Sequence, residues 1–216
     1  MWRELCRRIQ RSKASPGEPE TPDTKPRPVI FVSTNVPYRQ VTEVHEYRFD
    51  DIRRDDIVVD IGANVGGFCL RAARYSDRVI AVEPVSWEVL EENIRLNRAP
   101  VTVIRGALGN GSPAVVTWDG CGGTVPTFTL GQIIGKAGGC DFLKCDCEGG
   151  EWLIRPEDLT GIRRIEMELH LPPIGGPPNP ILLEYIGKHY DFEIEQRPVH
   201  DVMGVMGVLH AVRRGI

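Results

Sequence analysis

Residues 58–68 read VVDIGANVGGF, an apolar strand that ends in Asp60, followed by a glycine loop and the start of a helix. A loop in this position points backbone N–H groups and a helix N-terminus at a ligand. Gly62 and Gly66 have no Cβ, so a ligand can approach the backbone closely at both positions. The stretch therefore predicts a ligand site at the carboxyl end of a buried strand.

The loop differs at one position from the loops that bind dinucleotides. Those loops read G-x-G-x-x-G, and Asn64 stands here in place of the glycine that admits a pyrophosphate. The spacing D-x-G-x-x-x-G suits S-adenosylmethionine, which has an amino group, a carboxylate and a sulfonium cation but no pyrophosphate. Glu83 ends the next strand, 23 residues after Asp60. A carboxylate there can accept hydrogen bonds from both hydroxyls of a ribose.

Apolar runs alternate with helical patterns along the rest of the chain, which predicts right-handed crossovers and a doubly wound, mostly parallel, Rossmann-like α/β sheet. The last two strands lie close together, so we expect one antiparallel strand at the C-terminus. Residues 109–128 are rich in Gly, Thr and Val and predict a small β-excursion. Strands are predicted at 57–61, 79–82, 101–104, 142–145, 162–169, 192–195 and 205–212, and helices at 67–75, 86–96 (capped by Ser86), 180–189 and between 145 and 162.

Three motifs resemble those of the FkbM-family methyltransferases. They are DIGANVGGF (60–68), VIAVEPVSWEVLEENIRLN (79–97) and LKCDCEGGEW (143–152), in this order along the chain. The resemblance covers roughly residues 43–170. It implies a class I methyltransferase fold, S-adenosylmethionine as methyl donor and S-adenosylhomocysteine as product. The activity it implies is O-methylation of a hydroxyl on a sugar, polyketide or other metabolite.

The resemblance also implies roles for individual residues. The glycine loop is expected to hold the amino-acid part of the donor, the end of the second strand its ribose, and the loop IRGALG (104–109) its adenine side. Asp146 is expected near the reactive methyl. The donor-binding residues implied in this way are Asp60, Gly62, Ala63, Asn64, Gly66, Glu83, Pro84, Gly106 and Ala107.

The sequence departs from the family pattern in three respects. Cys145 and Cys147 replace the aliphatic residues usual around the aspartate between them, the insert after Gly109 is short, and there is no large substrate-binding extension. These departures concern the acceptor of the methyl group rather than its donor.

Strand parity predicts a second functional group, independently of the resemblance. Side chains alternate between the two faces of a strand, and a central strand of such a sheet is apolar on both faces, so ionisable groups on one face are costly unless paired, solvated or used. The sets that share a face are Lys144, Asp146 and Glu148 in one strand and Glu166, Glu168 and His170 in the next. We predict that four of these residues converge around the acceptor as catalytic residues: Asp146, Glu148, Glu168 and His170.

Several roles are open for this group. If the acceptor is a hydroxyl, His170 has the most suitable unperturbed pKa for the base that removes its proton. Asp146, Glu148 or Glu168 could act as the base directly, or could hold a divalent cation such as Mg²⁺ or Ca²⁺ that stabilises an alkoxide. The alternative without function is a pair of solvated strand ends whose acids pair with Lys144 and nearby arginines.

The six cysteines predict reduced, structural thiols rather than a zinc site. The chain has no C-x-x-C pair, and we expect the thiols of Cys145 and Cys147 on opposite strand faces, which is poor geometry for one ion. No apolar leader segment and no run of 18 apolar residues occurs. These features favour a cytoplasmic protein.

The first 28 residues are expected to lie outside the folded domain, which we place at 29–216. Residues 1–13 (MWRELCRRIQRSK) can form a short basic amphipathic helix that docks on a membrane surface or a partner, or else a frayed or locally packed terminus. Residues 14–28 contain five prolines and almost nothing apolar, which is typical of a linker.

The composition ranks the possible functions. A net charge of −4 disfavours a broad nucleic-acid surface. The first hypothesis is methylation of a hydroxyl on a small metabolite or glycan, as the resemblance implies. An RNA or protein methyltransferase is the second, since the same fold serves both. A non-catalytic module that only binds S-adenosylmethionine is the third, and the acidic group argues against it.

Overall fold

The computed structural model describes residues 29–31, 46–118, 120–196 and 203–215, together with the backbone of Ile9–Arg11. The helices are α1 (Gly67–Ala72), α2 (Trp87–Asn97), α3 (Leu130–Ala137) and α4 (Pro180–His189). The strands are β1 (Ile9–Arg11), β2 (Ile57–Ile61), β3 (Arg78–Glu83), β4 (Val101–Arg105), β5 (Ala107–Leu108), β6 (Ala114–Trp118), β7 (Cys121–Val125), β8 (Thr127–Phe128), β9 (Phe142–Cys145), β10 (Arg164–His170), β11 (Tyr190–Gln196) and β12 (Val205–Arg213).

Eight of these strands form one sheet in the order β1-β11-β12-β10-β9-β2-β3-β4. From β10 to β4 all neighbours run parallel, whereas β12 is antiparallel to both β10 and β11. The predicted doubly wound sheet with an antiparallel C-terminal strand is confirmed. The chain winds outward in opposite directions from β2 and β9, and ligands of such sheets bind at the carboxyl ends of the strands at this switch point.

The central strand β2 is buried at all five positions, which is why its sequence is an unbroken apolar run apart from one acid. Val59 and Ile61 pack into a core that includes apolar side chains of α3 and α4. Val58 packs into a second core, on the opposite face, with Phe68 of α1 and Leu90 of α2. Each such side chain stabilises the fold by about 1.5–3 kcal/mol, so the strand that carries the glycine loop is held firmly from both sides.

The predicted helix between β9 and β10 is wrong. The segment instead forms two short 3₁₀ helices, Gly150–Leu153 and Pro156–Leu159. Gly149, with φ of 103°, precedes the first helix, and Pro156 begins the second and lacks the N–H that would continue a helix across it. No helix among the described residues is long and apolar enough to cross a membrane.

Two further differences concern helix starts. Ser86 precedes α2 as predicted, but its side chain makes no capping hydrogen bond. Helix α3 has no counterpart among the predicted elements, although Thr129 and Gln132 form a capping box at its start. The sequence T-x-x-Q is a recognisable signal for such a box.

Residues 107–128 form the predicted β-excursion. The short strands β5 and β8 pair in parallel, and β6 and β7 pair in an antiparallel hairpin between them. Most residues of the hairpin are exposed, including Val115 and Trp118. The excursion therefore adds little to the core.

The N-terminal segment contributes a short strand rather than the amphipathic helix that was one of the two structures considered for residues 1–13. Ile9–Arg11 pairs in parallel with residues 194–196 of β11 at the edge of the sheet. The other residues of 1–28 lie outside the described residues, as does the predicted linker. Further along, the backbone N–H and C=O of Ile30 both bond to the side-chain amide of Asn97, so the chain is attached to α2 there.

Candidate active site

The glycine loop between β2 and α1 takes its shape from three residues with positive φ. Gly62, Asn64 and Gly66 have φ values of 75°, 49° and 100°, a region in which a Cβ is costly. A Cβ added to Gly62 would lie 1.8 Å from the carbonyl oxygen of Asp146. The N–H groups of Gly62 and Ala63 both donate to the penultimate carbonyl of β3, at 3.0 and 3.1 Å. The loop is therefore fixed between two other segments of the site.

Asp60 lies at the penultimate position of β2 and is fully buried. Its Oδ1 is 3.1 Å from Nζ of Lys144, yet neither carboxylate oxygen receives a well-formed hydrogen bond from the described residues. Burial raises the pKa of Asp60 above its usual value, although Lys144 opposes the rise. Burying a carboxylate without well-formed hydrogen bonds costs free energy unless a further donor bonds to it. Asp60 therefore fits the N–H groups of a bound ligand.

Glu83 joins the glycine loop to the start of α2. Its Oε2 accepts a hydrogen bond from the N–H of Asn64 at 2.8 Å. Its Oε1 accepts from the N–H groups of Val85 and Ser86 at 2.7 and 2.8 Å. These two bonds fix the turn that leads into α2. The carboxylate and the partly buried Pro84 after it thus form the edge of the pocket at the end of β3.

The loop after β4 brings the last predicted donor-binding residues to the same edge of the sheet. The N–H of Gly106 donates to the carbonyl of Glu83 at 3.2 Å, and the N–H of Ala107 donates to Pro126 at 3.0 Å. A Cβ on Gly106 would lie 2.7 Å from the ring of Phe128, so only glycine fits without a shift of its neighbours. The nine residues predicted to bind the donor therefore line the carboxyl ends of three adjacent strands.

The four residues predicted to be catalytic lie together, around one imidazole nitrogen. His170 Nε2 is 3.2 Å from Glu168, 3.4 Å from Glu148 and 3.9 Å from Asp146. His170 is almost fully buried, whereas Glu148 is 40% exposed. The group therefore has a buried end at the imidazole and a solvent-facing end at Glu148.

Glu151 fixes the orientation of this imidazole. Its Oε1 accepts a hydrogen bond from the backbone N–H of His170 at 2.7 Å and lies 3.2 Å from Nδ1. Its Oε2 accepts from the N–H of Gly149 at 2.9 Å. Trp152 also holds the segment, since its Nε1 donates to the carbonyl of His170 at 2.6 Å. With Nδ1 engaged in this way, Nε2 is directed at the three carboxylates.

The charges of the group decide which member can accept a proton. Burial alone would lower the pKa of His170, but hydrogen bonds with Glu151 and Glu168 outweigh burial and raise it to about 11. An imidazole with this pKa is protonated at neutral pH and does not accept a further proton. Burial and Asp146 raise the pKa of Glu168 to about 8. Burial opposes ionisation of Asp146, but Lys144 and His170 hold its pKa below the usual value.

Sequence reasoning missed two contributors to this side of the site, Tyr47 and Glu151, and named Lys144 only as a pairing partner of the acids. Tyr47 donates to Oδ2 of Asp146 at 2.9 Å. Lys144 is 3.6 Å from the same oxygen, and Glu151 is the partner of His170. The last two lie in the motif K-x-D-x-E-G-x-E, so a signal for them was present. No local signal marks Tyr47, which is 99 residues from Asp146 in sequence.

Glu166 shares a strand face with Glu168 and His170, as predicted, but belongs to a different network. Its Oε1 accepts from Arg164 Nε at 2.8 Å, and its Oε2 is 2.6 Å from Nδ1 of His210. Glu166 is therefore neutralised within the sheet by groups on β10 and β12. It does not face Asp146.

The predicted placement of the two neighbouring thiols is wrong. Sγ of Cys145 and Sγ of Cys147 are 3.5 Å apart, because residues two apart along a strand share a face. All five cysteines among the described residues are free. The grouping of metal-ligand atoms in the described part of the chain contains neither thiol: it consists of Asp146, Glu148 and His170, whose ligand atoms lie within 4.8 Å of one another.

Solved structures provide the comparison with known proteins. The chain is similar to Methyltransferase FkbM from Methylobacillus flagellatus KT, with a TM-score of 0.52 and 16% identity over 81% of this chain and 47% of that one. It is also similar to an rRNA methylase from Streptococcus thermophilus, with a TM-score of 0.50 and 10% identity over 82% of this chain and 93% of that one. The chain has the class I methyltransferase fold.

These similarities define the fold and not the subfamily. This chain spans about half the length of the FkbM protein, at 47%. No protein-family model matches the sequence, and no curated protein matches it. In this chain the ends of β2, β3 and β4 carry a glycine loop and a strand-end acid, while the ends of β9 and β10 carry the acidic group around His170.

Proposed function

We propose that this protein is an S-adenosylmethionine-dependent methyltransferase whose donor binds at the ends of β2, β3 and β4. One observation carries the proposal: the fully buried Asp60 has carboxylate oxygens without a well-formed hydrogen bond, at the base of a positive-φ glycine loop. That arrangement suits a ligand with an ammonium group and no pyrophosphate. The similarity to methyltransferase structures supports it at the level of the fold.

The residues at these strand ends form the donor side of the site. Asp60 and the loop at Gly62–Gly66 would hold the amino-acid part, Glu83 the ribose hydroxyls, and Gly106–Ala107 the adenine. When bound, S-adenosylmethionine supplies a methyl group on a sulfonium sulfur. Glu83 already accepts hydrogen bonds from three backbone N–H groups, so it is held in place before any ligand arrives, which lowers the entropic cost of binding.

Asp146, Glu148, Glu168 and His170 form the acceptor side of the site in this proposal. We assign the acceptor as a hydroxyl on a small metabolite or glycan, in line with the sequence resemblance. Glu168 is the best candidate for the base, because its pKa of about 8 lies near the pH at which the proton must be removed. Protonated His170 keeps the three carboxylates together and can donate to an oxygen of the acceptor.

A divalent cation is the alternative way to stabilise the acceptor. Asp146, Glu148 and His170 form the grouping that could hold it, whereas the sequence pointed to Asp146, Glu148 and Glu168. Oxygen-rich groups of this kind suit Mg²⁺ or Ca²⁺. Turnover that EDTA abolishes and Mg²⁺ restores would favour this alternative, and turnover unchanged by EDTA would exclude it.

The proposal also has two rivals. An RNA methyltransferase is compatible with the fold, and one of the similar structures is an rRNA methylase. Its signature would be salt-dependent RNA binding. A non-catalytic binding module is the other rival, and no turnover across a broad panel of hydroxylated, amine, RNA and protein acceptors would favour it.

Calorimetry with S-adenosylmethionine and S-adenosylhomocysteine tests the donor site directly. Both ligands should bind, and Glu83→Gln should weaken binding by about 1–3 kcal/mol, because an amide accepts fewer hydrogen bonds from the ribose and the loop. Glu88→Gln, at an exposed position of α2, is the matched control. Equal affinity in the two variants would remove Glu83 from the site, and binding of NADH instead of both ligands would overturn the proposed donor.

A further inference from the structure

Lys144 is a buried cation at the centre of the sheet. It lies on β9, opposite Asp60 of β2 on one side and Glu166 of β10 on the other. Its side chain is 3% exposed. Burying a charged ammonium group costs several kcal/mol unless it is paired and hydrogen-bonded. The contacts of Lys144 therefore indicate its role.

The contacts of Lys144 Nζ join the two sides of the site. On the donor side, Nζ lies 2.9 Å from the carbonyl oxygen of Gly62, 3.4 Å from that of Ile61 and 3.1 Å from Oδ1 of Asp60. On the acceptor side, it lies 3.6 Å from Oδ2 of Asp146. One ammonium group therefore contacts the glycine loop, the strand-end acid and the carboxylate that faces the acceptor.

The balance of charge in this set is the second observation. Asp60, Lys144 and Asp146 carry a net charge of −1 when all three are ionised. Burial alone would lower the pKa of Lys144, but the two aspartates hold it above its usual range, so the ammonium stays charged. Lys144 Nζ also lies 5.4 Å from the centre of the Tyr47 ring. The hydroxyl of Tyr47 donates a hydrogen bond to Asp146.

We propose that Lys144 is a positioning residue that locks the glycine loop to Asp146 and offsets part of the negative charge that Asp60 and Asp146 place beside the donor. The inference rests on the proposed function, since it assumes that the donor binds at this loop. Its consequence is selectivity by charge. S-adenosylmethionine carries a sulfonium cation, whereas S-adenosylhomocysteine has a neutral sulfur, so the net charge of the set changes the affinity of the first more than that of the second.

The affinity ratio of the two ligands isolates this effect from loss of structure. Lys144→Met removes one positive charge from this set of residues, and Asp146→Asn removes one negative charge. We expect Lys144→Met to weaken binding of both ligands, because the loop loses its anchor. It should also raise the preference for S-adenosylmethionine over S-adenosylhomocysteine by roughly tenfold. Asp146→Asn should lower that preference by a similar factor.

The double variant Lys144→Met/Asp146→Asn restores the net charge of −1. Its preference should return to within about twofold of the wild-type ratio, even though its absolute affinities stay low. Lys188→Met, at an exposed position on α4, is the control and should leave both affinities unchanged. Calorimetry of the full-length proteins at one ionic strength provides all five ratios.

Equal loss of affinity for both ligands in Lys144→Met would overturn the inference and leave the lysine a purely structural role. If that variant does not fold, the wild-type protein still tests the idea through the ¹⁵Nζ resonances of its ammonium groups. A slowly exchanging ¹⁵Nζ signal whose chemical shift changes when S-adenosylhomocysteine binds, and also changes in Asp146→Asn, supports the proposal. A signal whose chemical shift changes in neither case overturns it. A wild-type protein that binds neither ligand would instead overturn the proposed function.

Discussion

The donor side and the acceptor side of the site differ in the groups from which they are built. The donor side is made of backbone N–H groups, glycines and the carboxylate of Glu83. All of them lie at or just after the ends of β2, β3 and β4. The acceptor side consists of titratable side chains grouped around the Nε2 atom of His170. A backbone site is rigid and is fixed by local conformation, whereas a side-chain site depends on charge and on segments distant in sequence.

This difference separates binding from chemistry. The donor side should respond to changes in shape and the acceptor side to changes in charge. Variants of the first kind should lose donor affinity, and variants of the second kind should lose turnover while donor affinity stays.

The largest effect is expected from a change of shape on the donor side. Gly62→Ala places a Cβ 1.8 Å from the carbonyl oxygen of Asp146 at a φ of 75°, so we expect loss of about 4 kcal/mol or more of stability and no measurable donor binding. Gly161→Ala is the matched control, because Gly161 has a φ of 91° and open space around it. It should cost only about 1–2 kcal/mol. Denaturant unfolding measures both, and equal losses would contradict the role of the contact.

A change of charge on the acceptor side should give the next largest effect. Glu168→Gln removes the proposed base, so kcat should fall by about 10²–10⁴-fold once the acceptor is known. The donor dissociation constant should stay within about twofold. Glu184→Gln, on the exposed face of α4, is the control for the loss of a carboxylate. A parallel loss of donor affinity would mean that the two sides are not separable.

The pH dependence of stability sharpens the comparison further. The folded-state pKa of His170, about 11, exceeds its unfolded value of about 6.5. Its contribution to stability, about 1.5–3 kcal/mol, is therefore fully present below pH 6.5 and is lost as the pH rises towards 11. Denaturant unfolding at pH 6, 8 and 10 should show this fall in the wild type and a flatter profile in His170→Gln. A profile as flat in the wild type as in the variant would contradict protonation of the imidazole.

The smallest effect is expected from removal of the N-terminal segment. Deletion of residues 1–28 takes away β1, which pairs with β11 over only three residues at the opposite edge of the sheet from β4. Donor affinity should stay the same and the melting temperature should fall by less than about 4 °C. Deletion of residues 1–8 keeps β1, so comparing the two deletions separates the effect of β1 pairing with β11 from the effect of the first eight residues. A large loss of donor binding in either deletion would be inconsistent with a domain that starts at residue 29.

The donor side could be read from the sequence because its determinants are local. Asp60, Gly62 and Gly66 stand at fixed spacings after one apolar strand, and Glu83 ends the next strand. The parallel pairing of those strands then places the residues side by side. Parity along β10 likewise brought Glu168 and His170 to one face, which is a property of any strand.

The rest of the site could not be read in this way, for identifiable reasons. Tyr47 reaches Asp146 only through tertiary packing across 99 residues. Glu151 reaches His170 because the chain turns inward at Gly149 instead of continuing as a helix. The thiols of Cys145 and Cys147 were assigned to opposite faces although their spacing of two places them on the same one. The raised pKa of His170 depends on buried neighbours that no local pattern reveals.

The contact between Gly62 and the carbonyl of Asp146 also constrains how this protein can evolve. The glycine loop and the β9 segment touch backbone to backbone, so neither can shift without the other. A substitution at position 62 would survive only with a compensating backbone movement at position 146, and that movement would displace the acidic group around His170. Glu148, which is 40% exposed, can therefore be replaced with far less disturbance of the backbone than a residue of the loop.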